Sequence, residues 1–221
     1  MRIEHLKLYT NRLEEQRKYY EEVLELPVKS TSKSTFLVQL GFSVLEFQKE
    51  KAAMPYHIAF HIPAYKEKEA LKWLKQRVEI LKDDGEEIVD FPGWKAKSIY
   101  FYDADKNIVE FISRRHCFPS EEKRFSAEDM VGISEIGVAT DNVKRIFTFL
   151  HEYIGLDKFT GDYERFCATG DDEGLFIVIN KNMKNWIPTG EKAFSSGFEI
   201  ELTSGLGKTK LEFKNDRLQL L

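Results

Sequence analysis

Two histidines and two glutamates recur at matching places in the first half of the chain. His5 lies in the segment RIEHLKLY and His57 in YHIAFHI, while Glu46 lies in VLEFQ and Glu110 in IVEFI. Each segment alternates apolar and polar residues, which is typical of a β-strand whose successive side chains point to opposite faces. In all four segments the His or Glu lies on one face and its adjacent apolar residues lie on the other. Imidazoles and carboxylates gathered in this way predict a site for one divalent ion, such as Zn, Ni, Co, Mn or Fe.

Taken singly, each of these residues has a simpler explanation. An isolated strand histidine is more often structural or exposed than a ligand, and a strand glutamate usually lies on a solvated face. Four such residues at equivalent places in a repeat favour the metal site. His61 shares the face of His57 and is predicted to be structural, with a role beside the metal or in proton transfer as the alternative. Tyr9, Trp94 and Tyr102 are predicted to be core residues, with a place in the pocket as the alternative.

The elements that carry these residues repeat along the chain. The first module reads as a strand, an amphipathic helix and three strands, at residues 2–9, 12–24, 26–30, 34–40 and 43–48. The second module has the same order at residues 56–62, 64–80, 86–90, 97–102 and 107–113. A repeated β-α-β-β-β order predicts that equivalent strands place equivalent residues together.

The repeat continues in the second half of the chain in a weaker form. GISEIGVAT at 132–140 aligns without gaps with the first strand, a helix is predicted at 142–154, and strands follow near 164–168 and 174–180. GFEIEL at 197–202 resembles the first strand of module two, but no helix fits after it. We predict an α+β fold of tandem βαβββ modules that form curled mixed sheets, or cups, with a degenerate second pair. The alternative is an α+β protein in which alternating segments arise by chance.

The turn at 102–112, YDADKNIVEFI, carries a family resemblance. It resembles the closing hairpin of a module in the glyoxalase/bleomycin-resistance/extradiol-dioxygenase superfamily, also called the vicinal oxygen chelate superfamily. The usual turn there is Asp-Pro-Asp-Gly-Asn, followed shortly by a metal-binding glutamate. Here the turn is Asp103-Ala104-Asp105-Lys106-Asn107, without the proline and the glycine, and Glu110 stands at the expected place.

The resemblance implies a domain division and a ligand set. Paired modules in residues 1–113 would form one cup around one metal held by His5, Glu46, His57 and Glu110. Residues 114–130 would be a linker, and 131–221 would hold the third module and a truncated fourth. In that second half Glu135 stands at the position of His5 and Glu199 at that of His57. Gln219 and the region of Val178 replace the other two ligands, so we expect a structural cup without a transition metal.

Three function classes remain open from the sequence. The four-ligand set resembles glyoxalase I, which implies a metal-dependent lyase or isomerase acting on a small carbonyl or thiol adduct. In that mechanism Glu46 or Glu110 would leave the metal and act as the base. The alternatives are an extradiol-type ring-cleaving dioxygenase, in which Glu46 would be a bystander, and a non-catalytic ligand-binding protein of the bleomycin-resistance kind.

Composition restricts the partners of the chain. Hydrophobic residues make up 42% and charged residues 32%, and the net charge is −4, which argues against a nucleic-acid-binding surface. No apolar stretch is long enough to span a membrane, and the two cysteines lack metal-site or disulfide spacing. We therefore expect a cytoplasmic protein with a small-molecule substrate, present as a monomer with internal pseudo-dimer symmetry or as a weak homodimer.

Overall fold

The computed structural model describes residues 1–120 and 124–221 and has an α+β fold built from repeated modules. The first module contains β1 (Arg2–Thr10), α1 (Leu13–Lys18), β2 (Val28–Ser32), β3 (Thr35–Leu40) and β4 (Ser43–Lys49). The predicted helix at 12–24 is interrupted, because a π-helical turn at Tyr19–Val23 follows α1. This turn buries Tyr20, whose ring packs at 5.2 Å from that of Phe47.

The second module has a similar order with one additional short strand after its helix. It contains β5 (His57–Ile62), α2 (Glu67–Leu74), β6 (Ile80–Leu81), β7 (Val89–Phe91), β8 (Ala96–Tyr102) and β9 (Ile108–Arg114). The helix was predicted over 64–80 and ends earlier, since Ile80 must pair with Phe101 in the sheet. A 3₁₀ turn at Pro92–Trp94 precedes β8.

The third module has the best-defined helix. It contains β10 (Gly132–Thr140), α3 (Val143–Ile154), β11 (Lys158–Gly161), β12 (Phe166–Asp171) and β13 (Gly174–Asn180). The Asn142 side chain accepts a hydrogen bond from the Arg145 amide and begins α3, and Gly155 ends it in the left-handed region that glycine tolerates. The predicted helix at 142–154 is therefore observed almost unchanged.

The fourth module is an antiparallel meander. It contains β14 (Phe198–Ser204), β15 (Gly207–Lys214) and β16 (Arg217–Leu220), and no helix separates these strands. The predicted linker at 114–130 includes a 3₁₀ turn at Ala127–Asp129, and its middle, 121–123, lies outside the described residues. No helix in the described parts has the length and apolar character needed to cross a membrane.

The modules pair in a nested order. β5 of module two runs antiparallel to β10 of module three, whereas β1 of module one runs antiparallel to β14 of module four. β1 and β10 touch at a single register pair, Ile3 with Ile133. We call the half formed by modules two and three the inner cup, and the half formed by modules one and four the outer cup.

This pairing differs from the predicted grouping of the modules. The sequence grouped modules one and two in a single cup within residues 1–113, yet β10 lies between β1 and β5 in the sheet. The physical reason is that the four first strands carry the same alternation, so each is compatible with any of the others as an edge partner. The α+β fold of repeated modules in a curled mixed sheet is confirmed.

Helices cover one face of this sheet and leave the other face open. Leu6 and Leu8 of β1, with Ile58 and Phe60 of β5, are fully buried in the main core that also holds residues of all three helices. His5, Lys7, His57 and Ala59 alternate with them and therefore face the cups. The predicted strand parity is thus confirmed, and it explains why the polar strand residues collect in the cups.

Candidate functional site

The inner cup brings His57 and Glu110 into contact. Their strands, β5 and β9, run parallel with Ala59 opposite Glu110, so His57 and Glu110 lie diagonally adjacent on the cup face. The His57 Nε2 and Glu110 Oε2 atoms are 3.3 Å apart. The side chains are only 5% and 4% exposed, so this pair is shielded from water.

Neighbouring strand residues orient the Glu110 carboxylate. The Ser98 hydroxyl on β8 donates to Glu110 Oε1 at 2.5 Å. Tyr100 stands opposite Glu110 in the β8–β9 register, and burial raises the pKa of its hydroxyl well above its usual value. Tyr100 therefore keeps its proton and presents a neutral hydroxyl to the site.

A third side chain, the second acidic one of the site, joins this pair from module three. Glu135 of β10 pairs with Ala59 of β5, which places its carboxylate beside those of the module-two residues. Ligand atoms of His57, Glu110 and Glu135 all lie within 4.8 Å of one another, and all three residues are buried. A β-bulge between Ile133 and Glu135 locally shifts the register, a device that re-aims side chains.

Arg114 pairs with Glu135 inside the protein. The Arg114 Nη2 atom lies 2.5 Å from Glu135 Oε1, and the Arg114 side chain is fully buried. The guanidinium also lies 5.6 Å from the Trp94 ring centroid and 3.8 Å from Asp172 Oδ1. A buried cation needs such partners, because an unpaired charge in this environment is strongly destabilising.

Burial controls the protonation of Glu135. Loss of solvent and the nearby Glu110 carboxylate raise the pKa of Glu135 from its ordinary 4.5 to about 8, although Arg114 opposes this shift. One carboxyl group of the site therefore holds a proton near neutral pH in the absence of a metal. A proton-holding carboxylic acid beside an imidazole and a second carboxyl group is suited to proton transfer.

A cavity of about 420 Å³ opens onto this cluster. Its walls are mainly apolar and aromatic, with Trp94, Phe166 and Trp186 among the larger side chains. The Trp186 ring centroid lies 5.0 Å from that of His57, so an indole covers the imidazole. A volume of this size fits a small organic molecule.

The outer cup holds the other two predicted ligands in a separate pocket. The His5 Nε2 and Glu46 Oε2 atoms are 2.9 Å apart, and the side chains are 32% and 17% exposed. This pocket also contains Lys7, whose Nζ lies 2.9 Å from Glu199 Oε1, and Lys210 at 3.4 Å from Glu199 Oε2. Glu199 is thus already paired with two lysines and Glu46 with His5, and both carboxylates are partly exposed to water.

The structure therefore does not bring the four predicted ligands together. His57 and Glu110 line the inner cup, and His5 and Glu46 line the outer cup, because β10 separates β5 from β1. The prediction that Glu135 belongs to an emptied second cup was also wrong, since it faces His57. Each cup combines one His–Glu pair with glutamate from the partner module, Glu135 in the inner cup and Glu199 with Glu201 in the outer cup.

For Val178 and Gln219, the observed strand registers differ from the alignment that the sequence predicted. Gly137 of β10 pairs with Ile177 of β13, so Ile177 occupies the place that corresponds to Glu110, while Val178 lies in the core on the other face. Gln219 lies on β16 and donates to Glu212, away from Glu199.

Sequence reasoning missed Arg114 and misplaced Glu135. A usable signal existed for Arg114, because Glu110, Ile112 and Arg114 alternate on one face of β9, where a charged residue at the end of an apolar stretch is unusual. Trp94 lines the cavity, which agrees with the alternative given for it, a place in the pocket.

The other predicted polar and aromatic candidates lie outside the cavity. His61 is buried with Nε2 at 3.2 Å from the Glu173 carbonyl oxygen, and burial together with Arg114 lowers its pKa to about 3. Tyr9 belongs to the outer-cup side, where its hydroxyl lies 3.4 Å from Glu199. The structural role predicted for His61 agrees with this position.

Solved structures identify the architecture. A protein from Bacillus subtilis, provisionally named a dioxygenase, matches 89% of this chain and 67% of its own length, with a TM-score of 0.56 and 15% identity. A mutant of glyoxalase I from Zea mays matches 80% of this chain and 66% of its own length, with a TM-score of 0.51 and 15% identity. The fold is that of the glyoxalase/bleomycin-resistance/dioxygenase superfamily.

This identification concerns the glyoxalase fold and not an activity. No protein-family model and no curated protein matches the sequence. The chain spans about two thirds of the length of the two solved structures described. The resemblance predicted from the 102–112 turn is confirmed at the level of the fold.

Within this glyoxalase fold, the inner-cup residues fit a divalent metal ion. One imidazole nitrogen and two carboxylate oxygens are donors that Zn, Mn or Fe accept, and bound ligand atoms around such ions lie about 3–4.4 Å apart. The observed spacing within 4.8 Å is close to that range. His57 Nδ1 is buried without a hydrogen-bond partner among the described residues, so no protein contact fixes the imidazole through that atom.

Proposed function

We propose that this chain is a metal-dependent glyoxalase-like enzyme of the lyase or isomerase type. His57, Glu110 and Glu135 would hold its single divalent ion. The observation that carries this proposal is the charge of the inner cup, where the buried carboxyl groups of Glu110 and Glu135 lie together and Glu135 binds the buried guanidinium of Arg114. A divalent cation would allow both carboxyl groups to ionise without an uncompensated buried charge.

Each protein group then has a defined role. Arg114 binds one oxygen of Glu135 and fixes its orientation, while Ser98 does the same for Glu110. Glu135 is the favoured general base, because it lines the cavity, is oriented by Arg114 and could leave the ion to accept a proton from the substrate. The bound ion would polarise a carbonyl or hydroxyl oxygen of the substrate.

The site composition favours this class over a dioxygenase. Oxygen-activating non-haem iron sites use two histidines and one carboxylate. The inner cup offers one histidine and two carboxylates, and the nearby His61 lies outside the cavity. A small carbonyl compound or thiol adduct is the expected substrate, as for the glyoxalase-like reactions implied by the sequence.

Metal titration tests the site directly. Chelator-treated protein titrated with Zn, Ni, Co, Mn or Fe(II) in a calorimeter should bind one equivalent, and His57→Ala should abolish stoichiometric binding. His5→Ala is the matched control, because it removes an equivalent histidine from the outer cup and should leave binding unchanged. One equivalent bound tightly by the His57→Ala protein would refute the site.

Proton release gives a second measure of the same site. Because Glu135 is protonated at neutral pH without metal, binding at pH 7 should release about one proton. Calorimetry in buffers of different ionisation enthalpy measures this number. Glu135→Gln should reduce the release to near zero, whereas Glu199→Gln in the outer cup should not change it.

Turnover distinguishes an enzyme from a ligand-binding protein. We expect metal-dependent turnover of hemithioacetals or 2-keto thioesters without oxygen, and a loss of about 10²- to 10⁴-fold in Glu135→Gln. Catechols in air are the control substrates. Oxygen-dependent catechol cleavage would assign the chain to the dioxygenases, and metal binding without any turnover would favour a sequestering role.

A further inference from the structure

Lys184 is a cation of the inner cup without an acidic partner among the described residues. It lies in segment 181–197, which joins β13 to β14, and its side chain lines the cavity. Its Nζ lies 5.8 Å from the Phe166 ring centroid, and burial, assisted by Arg165, lowers its pKa. A half-buried ammonium against an aromatic wall is stabilised by a negatively charged partner.

Other lysines near the cups already have such partners. Lys181 in the same segment lies 3.6 Å from Asp216 Oδ2 and donates to the Ser195 hydroxyl at 2.9 Å. In the outer cup, Lys7 and Lys210 pair with Glu199. Lys184 differs from these lysines because its side chain lines the cavity.

The rest of the cavity wall accepts an apolar, flat molecule. Phe91 and Trp94 pack with ring centroids 6.0 Å apart, and the Trp94 and Phe166 rings are within 18° of parallel. Trp186 closes over His57, and the isoleucines at 112, 177, 179 and 187 complete the lining. Apart from the His57–Glu110–Glu135 cluster, Lys184 is the charged side chain of the described lining.

We propose that the substrate is a flat, largely apolar molecule with an anionic group, and that Lys184 pairs with that group. This inference rests on the proposed function in taking the cavity as the substrate site. It goes further by assigning the substrate class and by making Lys184 a specificity-determining residue. The aromatic walls would bind the apolar body, and the acidic cluster would meet the reacting oxygen.

A pair of fluorescent probes tests this assignment without metal or turnover. The anionic probe is 8-anilino-1-naphthalenesulfonate, and its neutral counterpart is N-phenyl-1-naphthylamine. Chelator-treated protein should bind one molecule of each, with the anion bound about tenfold more tightly. Energy transfer from the three tryptophans, of which Trp94 and Trp186 line the cavity, reports binding of the probe.

Charge variants separate the role of Lys184 from general packing. Lys184→Gln should weaken the anionic probe about tenfold and leave the neutral probe unchanged, while Lys184→Arg should retain the preference. Lys181→Gln is the matched control and should affect neither probe. Equal affinity for both probes in the wild-type protein, or an equal loss of both in Lys184→Gln, would overturn the assignment.

A blocking variant checks the location of the bound probes. Ile177→Trp fills the cavity and should abolish binding of both probes, with circular dichroism confirming that the fold persists. Ile112→Trp fills the same space from β9 and serves if the first variant does not fold. Probe binding that survives in a folded blocked variant overturns the proposal. If the protein binds one equivalent of metal through His57 but does not prefer the anionic probe, the proposed substrate class is refuted and the proposed function is unaffected.

Discussion

Arg114 and Glu135 contact each other at a place to which water has almost no access. Arg114 supplies one positive charge beside a cluster that has two carboxyl groups, so this cluster would carry an excess of negative charge if both were ionised. Without a metal, that imbalance is relieved by keeping a proton on Glu135. The consequence is a pH-dependent stability that can be assigned to one residue.

The metal-free protein should lose stability as the pH rises from 6.5 to 8. The pKa of Glu135 is raised to about 8 in the folded state, whereas the unfolded chain has already lost this proton above 4.5. The folded state therefore binds more protons, and the free energy of unfolding falls by about 2 kcal/mol over this window. Urea denaturation at several pH values, with a chelator present, measures the slope.

Asp103 and His61, two other buried groups, change protonation outside the window from pH 6.5 to 8. Asp103, with a pKa raised by burial to about 6, contributes a loss of the same sign only below that pH. His61, with a pKa lowered to about 3, contributes the opposite sign between 3 and 6.5. Glu135→Gln should abolish the slope, and Glu199→Gln should preserve it. An unchanged slope in Glu135→Gln would show that another group titrates.

Sequence reasoning predicted which residues face the cups but not which of them meet. Alternation placed His5, His57, Glu46 and Glu110 correctly on the open face, because parity is a local property of a strand. Glu135 was recognised as the counterpart of a ligand position and still assigned to the wrong cup. Its neighbours depend on strand pairing across some 76 positions between Ala59 and Glu135, which no local pattern encodes.

Segment 181–197 acts as the cover of the inner cup. It carries Trp186, which is held by backbone hydrogen bonding between Trp186 and Glu191 and packs against the backbone of β10. A Cβ atom at Gly137 would lie 2.7 Å from Trp186 Cη2 and 3.1 Å from His57 Cβ. Glycine at this position therefore allows the indole to lie on the strand beside the site.

Gly137→Ala should displace Trp186 and destabilise the protein by about 1–3 kcal/mol, the usual cost of overpacking. The measurements are urea denaturation and the tryptophan bands of near-ultraviolet circular dichroism. Gly205→Ala is the control, since no atom lies within 4 Å of its added Cβ. Wild-type stability and an unchanged tryptophan spectrum in Gly137→Ala would contradict this packing.

At the level of elements, local signals determined what could be predicted. The α3 helix has an Asn142 cap and a Gly155 stop, and its bounds were found within one residue. The first helix has no side-chain cap, and its change to a π-helical turn depends on Tyr20 reaching Asp103 in the 102–112 turn. The periodicity of the sequence does not predict such a tertiary hydrogen bond.

The whole molecule depends on contacts between distant modules. Truncation after Arg115 would keep modules one and two and remove β10 and β14, the antiparallel neighbours of β5 and β1. We expect this fragment to dimerise or aggregate, because it exposes two strand edges and apolar surface. Light scattering after size-exclusion chromatography measures the mass. A folded, monomeric fragment would contradict this expectation.

Modular architecture was predictable from the sequence, whereas the pairing of modules was not. The repeated order and the family-like turn identified the fold, because both are encoded within each module. The first strands β1, β5, β10 and β14 share one alternation, so their sequences do not specify a partner. The missing helix between β14 and β15 was predicted, since too few residues separate these strands.

The nested order also bears on how the chain reaches this structure. Closing the inner cup joins Ala59 to Glu135 across 76 positions, while closing the outer cup joins His5 to Glu201 across 196. The longer loop costs about 1 kcal/mol more in chain entropy. Every strand of the inner cup also leaves the ribosome before residues 198–220 leave it, because the N-terminal part of a chain emerges first. The strands that line the cavity can thus pair with one another first, while β1 stays without β14 until that strand emerges.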